Sequence, residues 1–139
     1  MHRLISRLVP LFALSLLVSG CGGSNNDPVA PPPPPSVISS FSGTLTLNGA
    51  ATYSFTVTAP GGINAQLTSL QPDSAKPVGF SLGTWNGSIC QIVLRNDASI
   101  QGSLVVGSAS AAGDFCVSIY DAAGNVVQPQ TYVIDVEHG

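Results

Sequence analysis

The feature of this chain that most restricts its fold is an alternation of apolar and polar residues that starts after position 39 and continues to the C-terminus. In one run, Tyr53, Phe55 and Val57 are separated by single serine and threonine residues. Successive side chains of a β-strand point to opposite faces, so this period predicts strands with one face toward a core and one toward water. Helical spacing of apolar residues never extends beyond one turn in this part of the chain. Alternating runs of this kind occur at 41–47, 53–58, 63–67, 78–82, 89–95, 103–107, 114–120 and 132–137.

Strands with one wet face must cover their apolar faces with a second sheet. The predicted architecture is therefore all-β, a single antiparallel β-sandwich of seven to eight strands that occupies residues 39–139. The dipeptide Asn48-Gly49 between the first two runs is a strong turn signal. It predicts a hairpin in which the first two strands pair with each other.

The N-terminal segment has the three parts of an export signal. Arg3 and Arg7 make the start basic, an apolar stretch follows, and the small residues Ser19 and Gly20 come before Cys21. The sequence Val18-Ser19-Gly20-Cys21 resembles the lipobox of bacterial lipoproteins. The resemblance implies that residues 1–20 are a signal peptide, that the chain is cut before Cys21, and that this cysteine carries a diacylglyceryl group. An ordinary secretory signal is the alternative.

The apolar stretch is shorter than the roughly 20 residues that a membrane-crossing helix needs, so a lipid anchor is the expected membrane attachment. In bacterial lipoproteins an aspartate after the lipidated cysteine favours the inner membrane, and here that position is Gly22. The resemblance therefore implies a cell-envelope protein anchored in the outer membrane. Residues 21–38 contain five consecutive prolines and no apolar period. They are expected to form a stiff linker between lipid and domain, although Pro-rich segments also act as ligands for aromatic grooves.

The charge balance excludes one class of partner. The whole sequence has a formal charge of −3 at pH 7, and without Arg3 and Arg7 it changes to −5. Lys76 and Arg95 are then the remaining cationic side chains of the Lys and Arg type, so no basic patch for nucleic acid can form. The expected partners are the membrane, through the anchor, and envelope proteins or a polysaccharide.

A second resemblance covers about residues 41 to 138. The segments TYSFTVTAPGGINAQL, GDFCVSIYDAAGN and TYVIDVEH are similar to the bacterial pre-peptidase C-terminal domain and its jelly-roll relatives. In those domains Tyr-x-Phe-x-Val and Tyr-x-Ile-x-Val strands open and close the sandwich. The resemblance implies a jelly-roll-like fold and a role as helper of a secreted enzyme, which here would be separately encoded.

Two cysteines remain once Cys21 is assigned to the lipid. In an oxidising compartment Cys90 and Cys116 are expected to form a disulfide. Strict alternation places Cys116 on the outer face of its strand, whereas Cys90 would point inward with Ile92 and Leu94. A bulge or a strand-edge position is needed to bring the two sulfur atoms together.

Catalysis and metal binding have little support in the sequence. The only histidine after the signal segment is His138, next to the C-terminus, where fraying would prevent it from acting as a general base. No enzymatic activity and no cofactor are expected. Calcium could bind at Asp97 or at Asp121, because hard cations prefer oxygen ligands from such segments. Aspartate also favours turns for backbone reasons alone, and solubilising turn residues are the preferred interpretation.

Trp85 is the candidate ligand-binding residue. It lies in the sequence Gly83-Thr84-Trp85-Asn86-Gly87, which predicts a turn, and an exposed indole could stack on a sugar ring. Tyr53 and Tyr132 fall on apolar strand faces, so Tyr120, on the opposite face, is its plausible companion. The sequence thus predicts a lipid-anchored β-sandwich with a non-catalytic binding or structural role. The alternatives are a carbohydrate-binding accessory module and a helper of a secreted enzyme.

Overall fold

The computed structural model of the chain describes residues 30–33 and 35–139, and an all-β domain with eight strands extends from Val37 to the C-terminal residues. All eight alternating runs of the sequence lie in or overlap these strands. The signal peptide at 1–20, Cys21 and most of the 21–38 linker lie outside the described residues, so the predictions about them stay predictions. The strands are β1 (Val37–Leu45), β2 (Ala50–Val57), β3 (Gly61–Gln71), β4 (Val78–Trp85), β5 (Cys90–Ser99), β6 (Leu104–Ala109), β7 (Gly113–Tyr120) and β8 (Gln130–His138). Strands such as β8 turn one face to the core, whereas β4 is buried on both faces and β5 is exposed along most of its length. Within this part of the chain no helix is long and apolar enough to cross a membrane.

The strands form two four-stranded antiparallel sheets. The first sheet has the order β1-β8-β3-β6 and the second the order β2-β7-β4-β5. Successive strands alternate between the sheets except at β4 and β5, which gives the jelly-roll arrangement of two interleaved Greek keys. The predicted β-sandwich is confirmed.

The predicted hairpin between the first two strands is wrong. Leu45 at the end of β1 pairs with Gln130 of β8, and Ala50 at the start of β2 pairs with Tyr120 of β7, so the two strands belong to different sheets. The Asn48-Gly49 turn does form, with the Gly49 amide donating to the Thr46 carbonyl at 2.8 Å. A tight turn serves a hairpin and a sheet-to-sheet corner equally well, and the distant strands β7 and β8 decide between them.

The core lies between the two sheets and is built from the inward positions of the strands. Its fully buried side chains come from both sheets, and the aromatic residues Phe41, Tyr53 and Phe115 pack at its margins. Burial of such side chains supplies most of the free energy that orders the chain. The largest fully buried apolar residues are Leu45, Ile63, Leu67, Leu70, Phe80, Ile119 and Ile134.

The expectation that the C-terminus frays around His138 is also wrong. His138 is the last residue of β8, is only 5% exposed and lies opposite Val37 of β1. Its Nε2 is 2.9 Å from the Ser39 hydroxyl, and its ring centroid is 5.0 Å from that of Phe55. Pairing with β1 fixes this end of the chain.

Candidate functional site

The site is organised by the hairpin between β4 and β5, the one pair of successive strands in the described chain that lies within a single sheet. Its turn is held by the Asn86 side chain, whose Oδ1 accepts the amides of Ser88 at 3.0 Å and Ile89 at 2.8 Å. The sequence around Trp85 predicted a turn. Trp85 is instead the last residue of β4. It is therefore placed by the sheet.

A bulge in β5 decides which residues face outward. Leu82 pairs with Leu94 but Gly83 pairs with Ile92, so Val93 is an extra residue on β5. The bulge reverses the alternation, so Leu94 faces inward while Ile92 and the residues before it face outward. The sequence predicted that Cys90, Ile92 and Leu94 all point inward. This prediction is wrong for Cys90 and Ile92 and holds for Leu94.

The Cys90–Cys116 disulfide is present, with the two Cα atoms 5.8 Å apart. Cys116 lies on the outer face of β7, as the alternation predicted, and it pairs across the sheet with Gly83. The bulge brings Cys90 onto the same face. This bond closes a 26-residue separation and fixes the start of β5 to β7.

An open depression of about 400 Å³ lies on the outer face of the second sheet beside this disulfide. We call it the Trp85 depression and define it by Thr52, Trp85, Ile89, Ile92, Ser118 and Tyr120. The Thr52 and Ser118 hydroxyls lie 2.8 Å apart and hydrogen-bond to each other. The side chains of Ile89 and Ile92 are 64% and 49% exposed. The depression therefore combines apolar side chains with a pair of hydroxyl groups that satisfy one another.

The structure brings together Trp85 and Tyr120, the two ligand-binding candidates of the sequence. The sequence pattern did not single out Ile89 or Ile92 as site residues. Strict alternation assigned Ile92 to the core. The signal that could have located them is the consecutive apolar run at 92–94, which is too long for a strand with one wet face.

Tyr120 is held in place by two contacts. Its ring lies over Gly79, where a Cβ would overlap the ring carbons, and its hydroxyl donates a hydrogen bond to Asp97 Oδ1. Burial, followed by this hydrogen bond, raises the pKa of Tyr120 to about 12. The phenol is therefore neutral at physiological pH and presents a fixed side chain to the depression.

The calcium candidates Asp97 and Asp121 are both hydrogen-bonded to protein groups. Asp97 lies within β5, accepts the Tyr120 hydrogen bond and approaches Arg95 Nε at 3.8 Å on the surface. The described residues contain no group of three or more acidic, histidine or cysteine side chains that could hold a metal ion. Calcium binding at Asp97 or Asp121 stays an untested prediction.

Asp121 connects the loop after β7 to the turn after β1. Its carboxylate accepts the backbone amides of Asn48 at 3.0 Å, Asn125 at 3.0 Å and Val126 at 3.1 Å. Partial desolvation alone would raise the pKa of Asp121, but these amides and that of Gly124 outweigh it and hold the pKa below its usual value. The carboxylate serves the fold at this position.

Comparison with known proteins identifies a similar fold. No family model and no curated protein matches this chain. The resemblance to the pre-peptidase C-terminal domain therefore stays a hypothesis. Among solved structures, the chain is similar to Aeromonas hydrophila PliG, a periplasmic lysozyme inhibitor of g-type lysozyme. The TM-score is 0.51 at 15% sequence identity, and the match covers 71% of this chain and 83% of that chain. A likeness at this identity shows a common β-sandwich fold.

Proposed function

We propose that this protein is a lipid-anchored module of the bacterial outer membrane that acts by binding another envelope protein, and that the Trp85 depression is its binding surface. The observation that carries the proposal is the exposure of Ile89 and Ile92 beside two aromatic side chains. Clusters of apolar side chains on a solvent-exposed protein surface mark interaction sites, and protein interfaces are enriched in tryptophan and tyrosine.

The chemistry of the depression favours a protein over a small polar ligand. Its floor hydroxyls, on Thr52 and Ser118, already bond to each other, and none of the side chains that define it carries a carboxylate, an amide or a cation. An apolar side chain of a partner would gain from leaving water there, whereas a polar ligand would find few free donors and acceptors.

The hairpin is also rigid before binding. The Asn86 side chain fixes its turn, and the Cys90–Cys116 disulfide fixes the start of β5 next to that turn. Less conformational entropy is lost when a binding surface is already ordered, so a partner gains affinity. The similar fold of PliG supports an envelope enzyme as the class of partner, because that protein is a periplasmic inhibitor of a lysozyme.

The test compares two aspartate substitutions at exposed apolar positions. Ile89→Asp places a charge in the Trp85 depression, whereas Val127→Asp places the same charge in the loop between β7 and β8, at a position that is 80% exposed. Wild type and both variants are immobilised and exposed to envelope extract and to purified g-type lysozyme, and bound protein is identified by mass spectrometry. Binding that Ile89→Asp abolishes and Val127→Asp preserves is expected. Equal loss or equal retention in the two variants would refute the depression as the binding surface.

A polysaccharide is the second candidate, and it is supported by the two aromatic side chains, Trp85 and Tyr120, that line the same depression. An indole that stacks on a sugar changes its fluorescence, and Trp85 is the only tryptophan in the sequence. A glycan that shifts the emission of the wild type but not of Tyr120→Ala, with no retained protein partner, would support this candidate and contradict the first.

The lipid anchor is tested separately. The intact mass of the membrane-extracted protein is expected to show cleavage before Cys21 and added acyl chains, and Cys21→Ala is expected to lose membrane association. A soluble, unacylated wild type would refute the anchor. It would leave the binding proposal in place for a secreted protein.

A further inference from the structure

The strand β6 forms one edge of the first sheet, and its outer side has free backbone hydrogen-bonding groups. β6 pairs only with β3 in the described chain. At the end of that ladder the Leu67 amide donates to the Ser103 carbonyl at 3.0 Å. Bonded and non-bonded pairs alternate in an antiparallel ladder, so Leu104, Val106 and Ser108 direct their amides and carbonyls away from β3.

This edge lacks the usual protection against another strand. Proteins protect exposed edges with charges, prolines and bulges. Residues 98–113 include no charged residue and no proline, and β6 keeps one register with β3 along its whole length. Leu104 and Val106 are also 51% and 55% exposed.

Two other edges of the sandwich are protected. On β5, the register shifts twice against β4, and Arg95 and Asp97 add charges. On β1, the Tyr53 hydroxyl donates to the Ser42 carbonyl at 3.1 Å and so occupies an acceptor of the edge. The edge of β6 therefore differs from the edges of β5 and β1.

We propose that β6 pairs with β6 of a second copy of this chain, antiparallel and about a twofold axis at Val106. In this register Val106 lies opposite Val106 of the second copy, Leu104 opposite its Ser108, and Val105 opposite its Gly107. Leu104 and Val105 each face a small residue, Val106 faces its own copy across the axis, and the three outward-directed residues of each strand form hydrogen-bonded pairs. The two first sheets become one sheet of eight strands.

The side-chain pairing in this register favours a second copy as the occupant, and the distribution of charge permits it. Two copies of an acidic chain repel one another over most of their surface, but the uncharged segment 98–113 lets identical edges approach. The pairing also covers apolar surface next to β6. An apolar crevice of about 150 Å³ lies between Val93 and Leu94 of β5 and Gly107 of β6, and Val93 is 68% exposed.

The Trp85 depression lies on the outer face of the other sheet, so it stays open in the dimer. The dimer therefore goes beyond the proposed function and does not depend on it. Each dimer would present two such depressions to partners.

The test uses the full chain in the cell envelope and two cysteine variants of the same strand. In Val106→Cys the new thiol lies on the twofold axis, where Cα atoms of a hydrogen-bonded pair are about 5.5 Å apart and a disulfide can form. In Ser108→Cys the two thiols lie four residues apart along the paired strands, at about 13 Å, and cannot join. A non-reducing gel is expected to show a dimer band for Val106→Cys and none for Ser108→Cys, with the native disulfide verified by mass spectrometry.

Three outcomes would overturn the proposal: no dimer band for Val106→Cys, equal bands for both variants, or a band that contains a different protein. The last would show that the edge accepts a strand of another chain. A second measurement does not use cysteine. Sedimentation velocity of the detergent-extracted protein is expected to give a dimer for the wild type and for Thr44→Lys, which lies exposed on β1. Val106→Lys, which places two cations on the axis, is expected to sediment as a monomer, and a dimer for it would refute the register.

Discussion

The carbonyl of Gln91 lies directly over Gly83, in the space that any side chain at position 83 would occupy. This contact explains how Cys90 and Cys116 can bond although β4 lies between their strands. Strands two places apart in a flat sheet are about 9.6 Å apart, beyond the reach of a disulfide. Because Gly83 has no Cβ, β5 folds over β4 and reduces the Cα separation to 5.8 Å.

Gly83→Ala is therefore expected to destabilise the domain. The added methyl group must displace backbone, because it meets the Gln91 carbonyl rather than a flexible side chain, and the free energy of unfolding should fall by about 2 to 3 kcal/mol. Urea unfolding measures the change. Gly61→Ala is the control, since no atom lies within 4 Å of a Cβ at that position, and it should change stability by less than about 0.5 kcal/mol. Equal effects would contradict the close approach.

The disulfide is expected to stabilise the domain mainly by restricting the unfolded chain. For a separation of 26 residues the chain-entropy estimate is about 3.5 kcal/mol. The double variant Cys90→Ala with Cys116→Ala should lose about this amount in urea unfolding. Dithiothreitol should lower the stability of the wild type similarly and leave the double variant unchanged. Insensitivity of the wild type to the reductant would show that the bond does not contribute.

Asp121 is expected to make the domain sensitive to acid. Its pKa in the folded chain is lowered, so its contribution is complete above the ordinary value of 3.8 and is lost as the pH falls through the folded pKa. Asp121→Ala should reduce the free energy of unfolding by about 1 to 2 kcal/mol at pH 7, since charge-assisted hydrogen bonds to the loop amides disappear. The difference from the wild type should shrink toward pH 2. A difference that stays constant with pH would contradict the role of the carboxylate charge.

In an alkaline titration followed by absorbance, the Tyr120 phenol should lose its proton at a higher pH than an ordinary tyrosine. The wild type is expected to show a phenol with a pKa of about 12, and burial is the main cause. The contribution of the neutral phenol to the free energy of unfolding is complete below pH 10, the ordinary pKa, and is lost as the pH rises through the folded pKa of about 12. Tyr120→Phe should remove this late transition. If a transition near 12 persists in Tyr120→Phe with the same amplitude, another tyrosine is responsible.

Ser81 offers a substitution that should increase stability. Its side chain is fully buried on β4, and its hydroxyl has no hydrogen-bond partner among the described residues. Ser81→Ala removes an unsatisfied polar group at a small loss of volume, so the free energy of unfolding should rise by about 1 kcal/mol. A decrease of similar size would show that the hydroxyl has a partner, such as a bound water.

The sequence by itself determined the sandwich, a count of seven to eight strands and the expected disulfide pairing. Strands such as β2 and β8 show in the sequence because exposure of one face and burial of the other is a local demand on neighbouring residues. The two cysteines that follow Cys21 allow one pairing. Trp85 and Tyr120 also stood out, since one is the only tryptophan and the other an aromatic residue on a polar strand face.

Only the tertiary structure decided how strands pair and which residues the bulge turns outward. The Asn48-Gly49 turn is compatible with two partners for β1, and pairing with β8, about 90 residues away, settles the choice. The extra residue Val93 reverses the faces of Ile92 and Cys90. The apolar run at 92–94 marks an irregularity, but which residue is extra depends on the contact between β5 and Gly83 of β4. The Trp85 depression follows from that reversal, so its surface depends on interactions between residues distant in sequence.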